Sequence, residues 1–190
     1  TYLYNSTGDL INTTTSGTSS LPYNFSNLPG GTYYINATAC DFAGNCNSTE
    51  TRTIALDTGL PSVVLNWPDN NYNTTSTSIN FNWTATNGID PTLDCNLTID
   101  GVVNVSGISS TAGVPDNYTV AGFSDGVHTW NVTCWDDALN TNISETRSFT
   151  IDTTNPGIIL NTPPANAVDV DGNITFICNA TDNINLQNIY

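Results

Sequence analysis

Apolar and polar residues alternate along short stretches of this chain, and Gly, Pro, Asn and Asp residues separate the stretches. From Ile79 to Ala85, for example, every second side chain is apolar. A period of two places successive side chains on opposite faces of a β-strand, and no stretch shows the period of an α-helix. The pattern therefore predicts an all-β protein. In the middle of the chain it predicts seven strands, at residues 62–66, 78–86, 93–100, 102–106, 117–121, 127–136 and 144–152.

Glycosylation sequons of the form Asn-X-Ser/Thr fall within this alternation. In three predicted strands, a sequon asparagine lies between apolar neighbours that face the core. These asparagines are Asn82, Asn96 and Asn131. An asparagine that carries a sugar must face solvent, so the sequons and the apolar period assign the same faces. This agreement favours tandem β-sandwiches of the immunoglobulin-like class, with about seven strands in each.

The sequence repeats with a period of 95 residues. Residues 36–61 match residues 131–156 without a gap, and the match continues beyond them in both directions. Matching pairs include Asn36/Asn131, Asp41/Asp136, Asn45/Asn140, Arg52/Arg147, Asp57/Asp152, Pro61/Pro156, Leu65/Leu160, Ile79/Ile174 and Phe81/Phe176. A fixed period of this kind is typical of repeat arrays.

The Asp-Thr-X-X-Pro motifs at 57–61 and 152–156 are the predicted linkers. Residues 58–152 then form a complete immunoglobulin-like repeat, residues 1–57 the C-terminal part of another, and residues 153–190 the N-terminal part of a third. Two explanations stay open at this point. The chain is a stretch of a longer continuous array, or it is a subunit whose incomplete ends complete neighbouring copies by strand exchange. Both predict a fibre.

Charge excludes two classes of partner. The chain has 2 Lys and Arg residues against 17 Asp and Glu residues, which gives a formal net charge of −15. Such a field repels the phosphates of nucleic acid and of anionic membranes. No apolar stretch approaches the ~20 residues of a membrane-spanning helix, so no membrane insertion is predicted within these residues. A secretion signal and any anchor are expected outside them.

The sequons are numerous enough to form a sugar coat. The chain contains 14 of them, about twice the number that random placement of its Asn, Ser and Thr residues would give. A generally Asn- and Thr-rich composition is the alternative explanation. Covalent N-glycans would solubilise a surface with few charges and imply an extracellular or cell-surface location. The candidate sites are Asn5, Asn12, Asn24, Asn36, Asn47, Asn73, Asn82, Asn96, Asn104, Asn117, Asn131, Asn142, Asn173 and Asn179.

Five cysteines suggest two disulfides. Cys95 and Cys134 both face inward on strands expected to be neighbours, so we predict that they pair. Cys40 and Cys46 flank a turn and face outward, which predicts a bridge across a hairpin. Cys178 takes the position of Trp83 in the other repeat and is predicted to be a buried free thiol. No Cys-X-X-Cys motif or histidine cluster is present, so no zinc site is predicted.

Acidic residues at the linkers are the remaining candidates for ligand binding. Asp57 and Asp152 end each repeat, and carboxylates at such junctions could bind Ca²⁺ and stiffen an array. The alternative is that these side chains accept hydrogen bonds from nearby backbone N–H groups in turns. No other cofactor is predicted.

Catalytic machinery is not visible in the sequence. His128 is the single histidine, and no nucleophile motif accompanies it, so a core or corner role is expected and the protein is predicted not to be an enzyme. The two basic residues, Arg52 and Arg147, share one repeat position near a glutamate. Each is expected to form an ion pair of modest strength.

Three segments carry a resemblance to a known group of proteins. They are CNLTIDG at residues 95–101, GVHTWNVTCWD at residues 126–136 and RSFTIDTTNP at residues 147–156. They resemble the tandem immunoglobulin-like or fibronectin-III-like repeats of prokaryotic, especially archaeal, cell-surface glycoproteins. The resemblance covers both repeats. It implies extracellular stalks, adhesins or accessory modules without shared catalytic residues, and domains stacked end to end.

The function expected from these observations is structural. The chain would form part of a glycosylated fibre, filament or stalk that continues into further copies of the repeat or associates with itself. An adhesin is the alternative, with Tyr33, Tyr34, Trp67 and Trp135 as exposed aromatic residues that bind a surface glycan. A third reading is an accessory region of a large extracellular hydrolase.

Overall fold

The computed structural model describes residues 1–16 and 24–186, and every regular element in these residues is a β-strand. No helix among them is long and apolar enough to cross a membrane. The all-β prediction is confirmed. The strands are β1 (Tyr2–Tyr4), β2 (Leu10–Thr13), β3 (Gly31–Asn36), β4 (Thr38–Cys40), β5 (Cys46–Ser48), β6 (Arg52–Leu56), β7 (Ser62–Trp67), β8 (Tyr72–Thr74), β9 (Ser78–Thr86), β10 (Thr92–Ile99), β11 (Val102–Thr111), β12 (Pro115–Ala121), β13 (Gly126–Trp135), β14 (Thr141–Ile143), β15 (Arg147–Ile151), β16 (Gly157–Thr162) and β17 (Ile177–Thr181).

Strands β7 to β15 form a complete two-sheet sandwich. One sheet has the order β12-β9-β7, and the other has the order β11-β10-β13-β15-β8 with β14 paired to β13. All pairs are antiparallel except β8 with β15. Each of the seven predicted strands is present in this sandwich, and β8 and β14 are two short additions. The arrangement is that of an immunoglobulin-like or fibronectin-III-like fold.

The core lies between the two sheets and follows the predicted alternation. The inward positions of three strands are all buried, namely Ile79, Phe81, Trp83 and Ala85 on β9, Cys95, Leu97 and Ile99 on β10, and Trp130, Val132 and Cys134 on β13. Phe81 lies at the centre, with its ring centroid 5.0 Å from that of Trp130 and 5.6 Å from that of Phe149. Burial of these large side chains supplies most of the driving force for the fold.

The strands on either side of the sandwich pair in the same way as their counterparts one period away. The hairpin of β16 and β17 has the register of β7 and β9, including the irregularity between Leu160 and Thr162 that matches the one between Leu65 and Trp67. In the sheet β2-β1-β3-β6, strands β3 and β6 pair with the register of β13 and β15. Strands β4 and β5 pair with the register of β13 and β14.

The flanking strands differ from the complete sandwich in their exposure. Phe81 is 0% exposed, whereas Phe176, one period later, is 71% exposed. Ile174 is likewise exposed where Ile79 is buried. Both residues precede β17, and their counterparts in the complete sandwich are covered by the second sheet.

Candidate functional site

Two disulfides are present and join the predicted partners. Cys95 and Cys134 lie directly opposite each other on β10 and β13 and are bonded in the core. Cys40 and Cys46 are bonded across the exposed hairpin of β4 and β5. Stable disulfides form in oxidising surroundings, so both bonds fit an extracellular protein.

Cys178 is a free cysteine, but the prediction that it is buried is wrong. Its register partner on β16 is Leu160, as Leu65 is the partner of Trp83 in the complete sandwich. The side chain therefore lies on the face expected from the repeat. It is exposed because the described residues place no second sheet over this hairpin.

None of the 14 sequon asparagines is buried. Asn82, Asn96 and Asn131 are the sequon asparagines used to assign the outward faces of strands, and Asn82 and Asn96 are half-buried. The Oδ1 of Asn82 accepts a hydrogen bond from the Asn66 side chain, and the Oδ1 of Asn96 accepts one from the backbone N–H of Gly107. Asn131 is also half-buried, but its Oδ1 is covered and has no hydrogen-bond partner among the described residues. Attachment of sugar at these positions stays a prediction.

Asn47 and Asn142 are equivalent sequon positions in the two repeats, and their surroundings differ. Asn47 on β5 is exposed. The Nδ2 of Asn142 on β14 donates a hydrogen bond of 2.8 Å to the carbonyl of Pro61 in the linker, and the side chain is half-buried. One sequon side chain is therefore part of the junction before the complete sandwich.

An Asp-X-X-X-Asn turn recurs after the strands at one end of each repeat. Asp136 Oδ1 accepts a hydrogen bond from the backbone N–H of Asn140, at 2.8 Å, and Asp136 Oδ2 accepts one from the Asn140 side chain, at 2.9 Å. Asp41 and Asn45 make the same pair of bonds, at 2.9 and 2.8 Å. The hydrogen bonds from Asn45 hold the pKa of Asp41 below its ordinary value.

The turn at Asp136 belongs to a cluster of three carboxylates at the linker. One carboxylate oxygen from each of Asp57, Asp90 and Asp136 lies within 4.8 Å of the other two. Asp57 follows β6, Asp90 lies in the loop between β9 and β10, and Asp136 follows β13. Asp57 is a candidate from its place at the linker, whereas no repeat position or motif in the sequence distinguishes Asp90.

Asp152, the second candidate calcium ligand, lies elsewhere. Its Oδ1 accepts a hydrogen bond of 3.2 Å from the backbone N–H of Thr154, the turn-capping role weighed as the alternative. It also lines an open cavity of about 500 Å³ together with Asp182 and Asn185. Asp57 makes the equivalent capping bond, 2.8 Å from Gly59 N to its Oδ1.

His128 has both ring nitrogens engaged. Nδ1 lies 2.7 Å from Oδ2 of Asp100, and Nε2 lies 3.0 Å from the carbonyl oxygen of Ser124. Burial lowers the pKa of His128, but the hydrogen bonds to Asp100 and Ser124 raise it more, so the pKa is above its ordinary value. Since two acceptors face the ring, the doubly protonated imidazolium satisfies both, and the ring has no free nitrogen to act as a base.

The basic residues form the expected ion pairs. Arg52 lies 2.9 Å from Glu50, and Arg147 lies 2.7 Å from Glu145. Both arginine side chains are therefore paired with a carboxylate two residues away. Neither is left to neutralise the carboxylate cluster.

The aromatic residues named for an adhesin do not form one surface. Tyr33 is buried, and its hydroxyl donates a hydrogen bond of 2.6 Å to the carbonyl of Pro29, so the expectation that it is exposed is wrong. It is buried because it faces inward on β3, as His128 does on β13. Trp67 is exposed, and its ring centroid lies 4.6 Å from that of Tyr72. Tyr34 and Trp135 are half-buried.

Comparison with known proteins finds similarity among solved structures. No protein-family model matches the sequence, and no curated protein matches it. A solved structure of fibronectin(III)-like modules of Clostridium thermocellum CbhA is similar to this chain with a TM-score of 0.43 and 19% sequence identity. The similarity covers 79% of this chain and 76% of that one.

Proposed function

We propose that this chain is a non-catalytic, N-glycosylated segment of an extracellular fibre or stalk built from tandem immunoglobulin-like sandwiches. The observation that carries the proposal is the recurrence of strand pairing with the 95-residue period, seen for β3 with β6, β4 with β5, and β16 with β17. A chain that repeats one sandwich at a fixed interval is suited to extension and to bearing tension.

Domain bounds follow from this proposal. Residues 58–152 are the complete sandwich, and residues 1–57 and 153–190 are complementary parts of the same unit. The sheet of β2, β1, β3 and β6 corresponds to the larger sheet of the sandwich, and β16 with β17 corresponds to two strands of the smaller one. Each flanking part supplies the kind of sheet that the other requires.

The proposed partner is a further copy of the repeat. Apolar residues that the complete sandwich buries are exposed in the flanking parts, and Ile54 on β6 is exposed where the equivalent Phe149 is buried. A sheet from another repeat, in the same chain or in another copy, would cover these residues. Origin from an archaeal cell surface stays a prediction, based on the resemblance alone.

Labelling on intact cells tests the proposal. Antibodies against residues 58–152, bound to gold particles, are expected to mark filaments or stalks at many points along their length in electron micrographs. Antibodies against an unrelated cytoplasmic protein serve as the control. Label confined to filament tips would contradict the structural role and indicate an adhesin. Label released with glycan-hydrolysing activity would instead indicate an accessory region of a hydrolase.

A glycan-binding role is the second candidate, and the exposed Trp67 beside Tyr72 favours it. Sugar rings stack on exposed aromatic faces, and this pair is formed by the last residue of β7 and the first residue of β8. Binding of the chain to a glycan array, lost in Trp67→Ala and retained in Tyr118→Ala, would support this role. Equal binding by both variants would contradict it.

A further inference from the structure

Three carboxylates converge where the linker meets the complete sandwich. Asp57, Asp90 and Asp136 each place one oxygen within 4.8 Å of the others, although the first and the last are 79 positions apart in the sequence. Asp136 is only 4% exposed, which makes it the sole charged residue among the buried positions of the described chain. Charged side chains are rarely buried without a compensating partner.

No basic side chain compensates this cluster. The chain contains two Lys and Arg residues in total, and both are paired with glutamates, Arg52 with Glu50 and Arg147 with Glu145. The single histidine is paired with Asp100. Three negative charges at this separation repel one another unless a cation lies between them.

Asp57 provides an independent indication of a ligand. Its Oδ1 accepts the hydrogen bond from Gly59 N, but its Oδ2 is fully buried and accepts no hydrogen bond among the described residues. A buried carboxylate oxygen without a donor is unfavourable, and native proteins rarely leave one unsatisfied. The oxygen therefore requires a partner that is not a protein N–H or O–H group.

Oxygen atoms of the linker backbone lie close to the same place. The Asn140 side chain donates to Asp136 Oδ2 and also approaches the carbonyl of Asp57, at 3.3 Å. The Asn87 side chain donates to Asp136 Oδ2, at 3.1 Å, and approaches the carbonyl of Gly59, at 3.5 Å. Carboxylate oxygens and two linker carbonyl oxygens are thus grouped in one small region, to which the amide groups of Asn87 and Asn140 contribute N–H donors.

We propose that Asp57, Asp90 and Asp136 bind one Ca²⁺ ion at the junction between the first partial repeat and the complete sandwich. Ca²⁺ takes six to eight oxygen ligands in flexible geometry and accepts both carboxylates and carbonyls. The cluster holds no histidine or cysteine, which disfavours Zn²⁺. Because Asp57 belongs to the linker and the other two to the sandwich, the ion would fix the direction of the linker.

The second junction is predicted not to bind Ca²⁺ with the residues of this chain alone. The positions equivalent to Asp57, Asn87 and Asp90 hold Asp152, Asp182 and Asn185. Among the described residues, three converging carboxylates are found at the first junction and not at the second. The expected stoichiometry is therefore one Ca²⁺ per chain, and Asp152 is a matched control for Asp57.

Calorimetric titration of the chelator-treated 190-residue chain with Ca²⁺ tests the site. One ion is expected to bind, and Mg²⁺ to bind at least tenfold more weakly, because Mg²⁺ demands stricter octahedral geometry. Asp57→Asn and Asp90→Asn are expected to weaken Ca²⁺ binding at least tenfold, whereas Asp152→Asn is expected to leave it unchanged. Circular dichroism confirms that each variant is folded.

Limited proteolysis provides a second readout at the linker. Ca²⁺ is expected to slow cleavage within residues 57–61 in the unmodified chain and in Asp152→Asn, but not in Asp57→Asn. The proposal is overturned if the chain binds no Ca²⁺ at millimolar concentration, or if folded Asp57→Asn binds it as tightly as the unmodified chain. It is also overturned if Asp152→Asn alone removes binding.

Discussion

Leu65 and Leu160 have equivalent positions in strand pairing one period apart, yet Leu65 is 2% exposed and Leu160 is 60% exposed. Leu65 pairs with Trp83 on β9, and Leu160 pairs with Cys178 on β17 in the same register. The local structure of the two hairpins is therefore the same, and the difference lies in what covers them. Leu65 packs against the larger sheet of the complete sandwich. By the 95-residue period, the sheet equivalent to that larger sheet is the one formed by β2, β1, β3 and β6.

We expect a rearranged protein of residues 153–190 followed by residues 1–57 to fold into one sandwich. It restores the order of strands in the complete repeat, so the exposed apolar faces of both parts can cover each other. The rearranged protein contains no tryptophan, so its unfolding by urea is followed by far-ultraviolet circular dichroism. A single cooperative transition is expected.

Two variants make this prediction specific. Phe176→Ala is expected to destabilise the rearranged protein by ~3–5 kcal/mol, as for loss of a buried aromatic side chain. The same substitution in the 190-residue chain is expected to leave unfolding of residues 58–152 unchanged, because Phe176 is exposed there. A shortened form that lacks β17 is expected not to fold. A non-cooperative transition in the full rearranged protein would contradict the assigned period.

The two disulfides are expected to contribute unequally to stability. Cys95 and Cys134 are 39 residues apart, and a loop of that length gives a stabilisation of about 4 kcal/mol through the unfolded chain. Cys40 and Cys46 are 6 residues apart, which gives about 2 kcal/mol on the same basis. Urea unfolding of Cys95→Ala/Cys134→Ala and of Cys40→Ala/Cys46→Ala compares them.

Loss of the disulfide between Cys95 and Cys134 is expected to lower stability further because both residues are buried. Removal of two buried sulfur atoms leaves a cavity, so the first double variant is expected to lose more than the chain-entropy value alone. The second is on an exposed hairpin and has no such term. If the hairpin variant proved the less stable of the two, the assignment of residues 58–152 as the principal stable unit would be wrong.

The faces of the strands could be predicted because burial leaves a direct trace in sequence. Phe81 and Trp83 alternate with a sequon asparagine, and only one register places all of the apolar residues inside. The pairing of Cys95 with Cys134 followed from the same period, since both lie on inward positions of strands expected to be neighbours. Periodicity and repeat length were therefore sufficient to predict most of the fold.

Features that depend on distant contacts could not be predicted in this way. Asp90 joins Asp57 and Asp136 because a loop, a linker and a turn meet in space, and no local pattern records that meeting. Cys178 has an inward position in its strand, but its exposure depends on a second sheet. Sequence periodicity assigns a side chain to a face and does not say whether that face is covered.

The stability of the folded chain is expected to depend on pH through His128 and Asp100. The pKa of His128 is raised, so its contribution is fully present below about pH 6.5 and is lost as the pH rises through its folded-state value. Burial raises the pKa of Asp100, but hydrogen bonds from His128 and from Thr129 N lower it more. The contribution of Asp100 is present above about pH 4 and is lost as the pH falls through its lowered value.

Nuclear magnetic resonance measures this pair without ambiguity, because the chain has one histidine. The imidazole of His128 is expected to titrate above pH 6.5 in the folded chain, and nearer to 6.5 in Asp100→Asn. Melting temperatures should fall between pH 6 and pH 8.5 in the unmodified chain, and less so in His128→Gln, in which packing on Phe123 and Phe149 is partly kept. A folded-state pKa at or below 6.5 would show that burial outweighs the hydrogen bonds.

Glycan occupancy is expected to differ between Asn47 and Asn142, the two equivalent sequon positions. Asn47 is exposed on β5, so a sugar on its Nδ2 meets solvent. The Nδ2 of Asn142 donates to the Pro61 carbonyl at 2.8 Å, and a sugar there would have to lie against the linker. Mass spectrometry of intact glycopeptides from the native protein is expected to find Asn47 modified and Asn142 largely unmodified.

Substitutions separate the two roles of these asparagines. Asn47→Gln is expected to remove one glycan mass and to change stability by less than about 0.5 kcal/mol, as for an exposed position. Asn142→Gln is expected to remove no glycan mass, but to cost about 1 kcal/mol because the hydrogen bond to the linker is lost. Equal glycan occupancy at both positions would contradict the prediction. It would mean that the hydrogen bond between Asn142 and Pro61 does not prevent attachment of a sugar at Asn142.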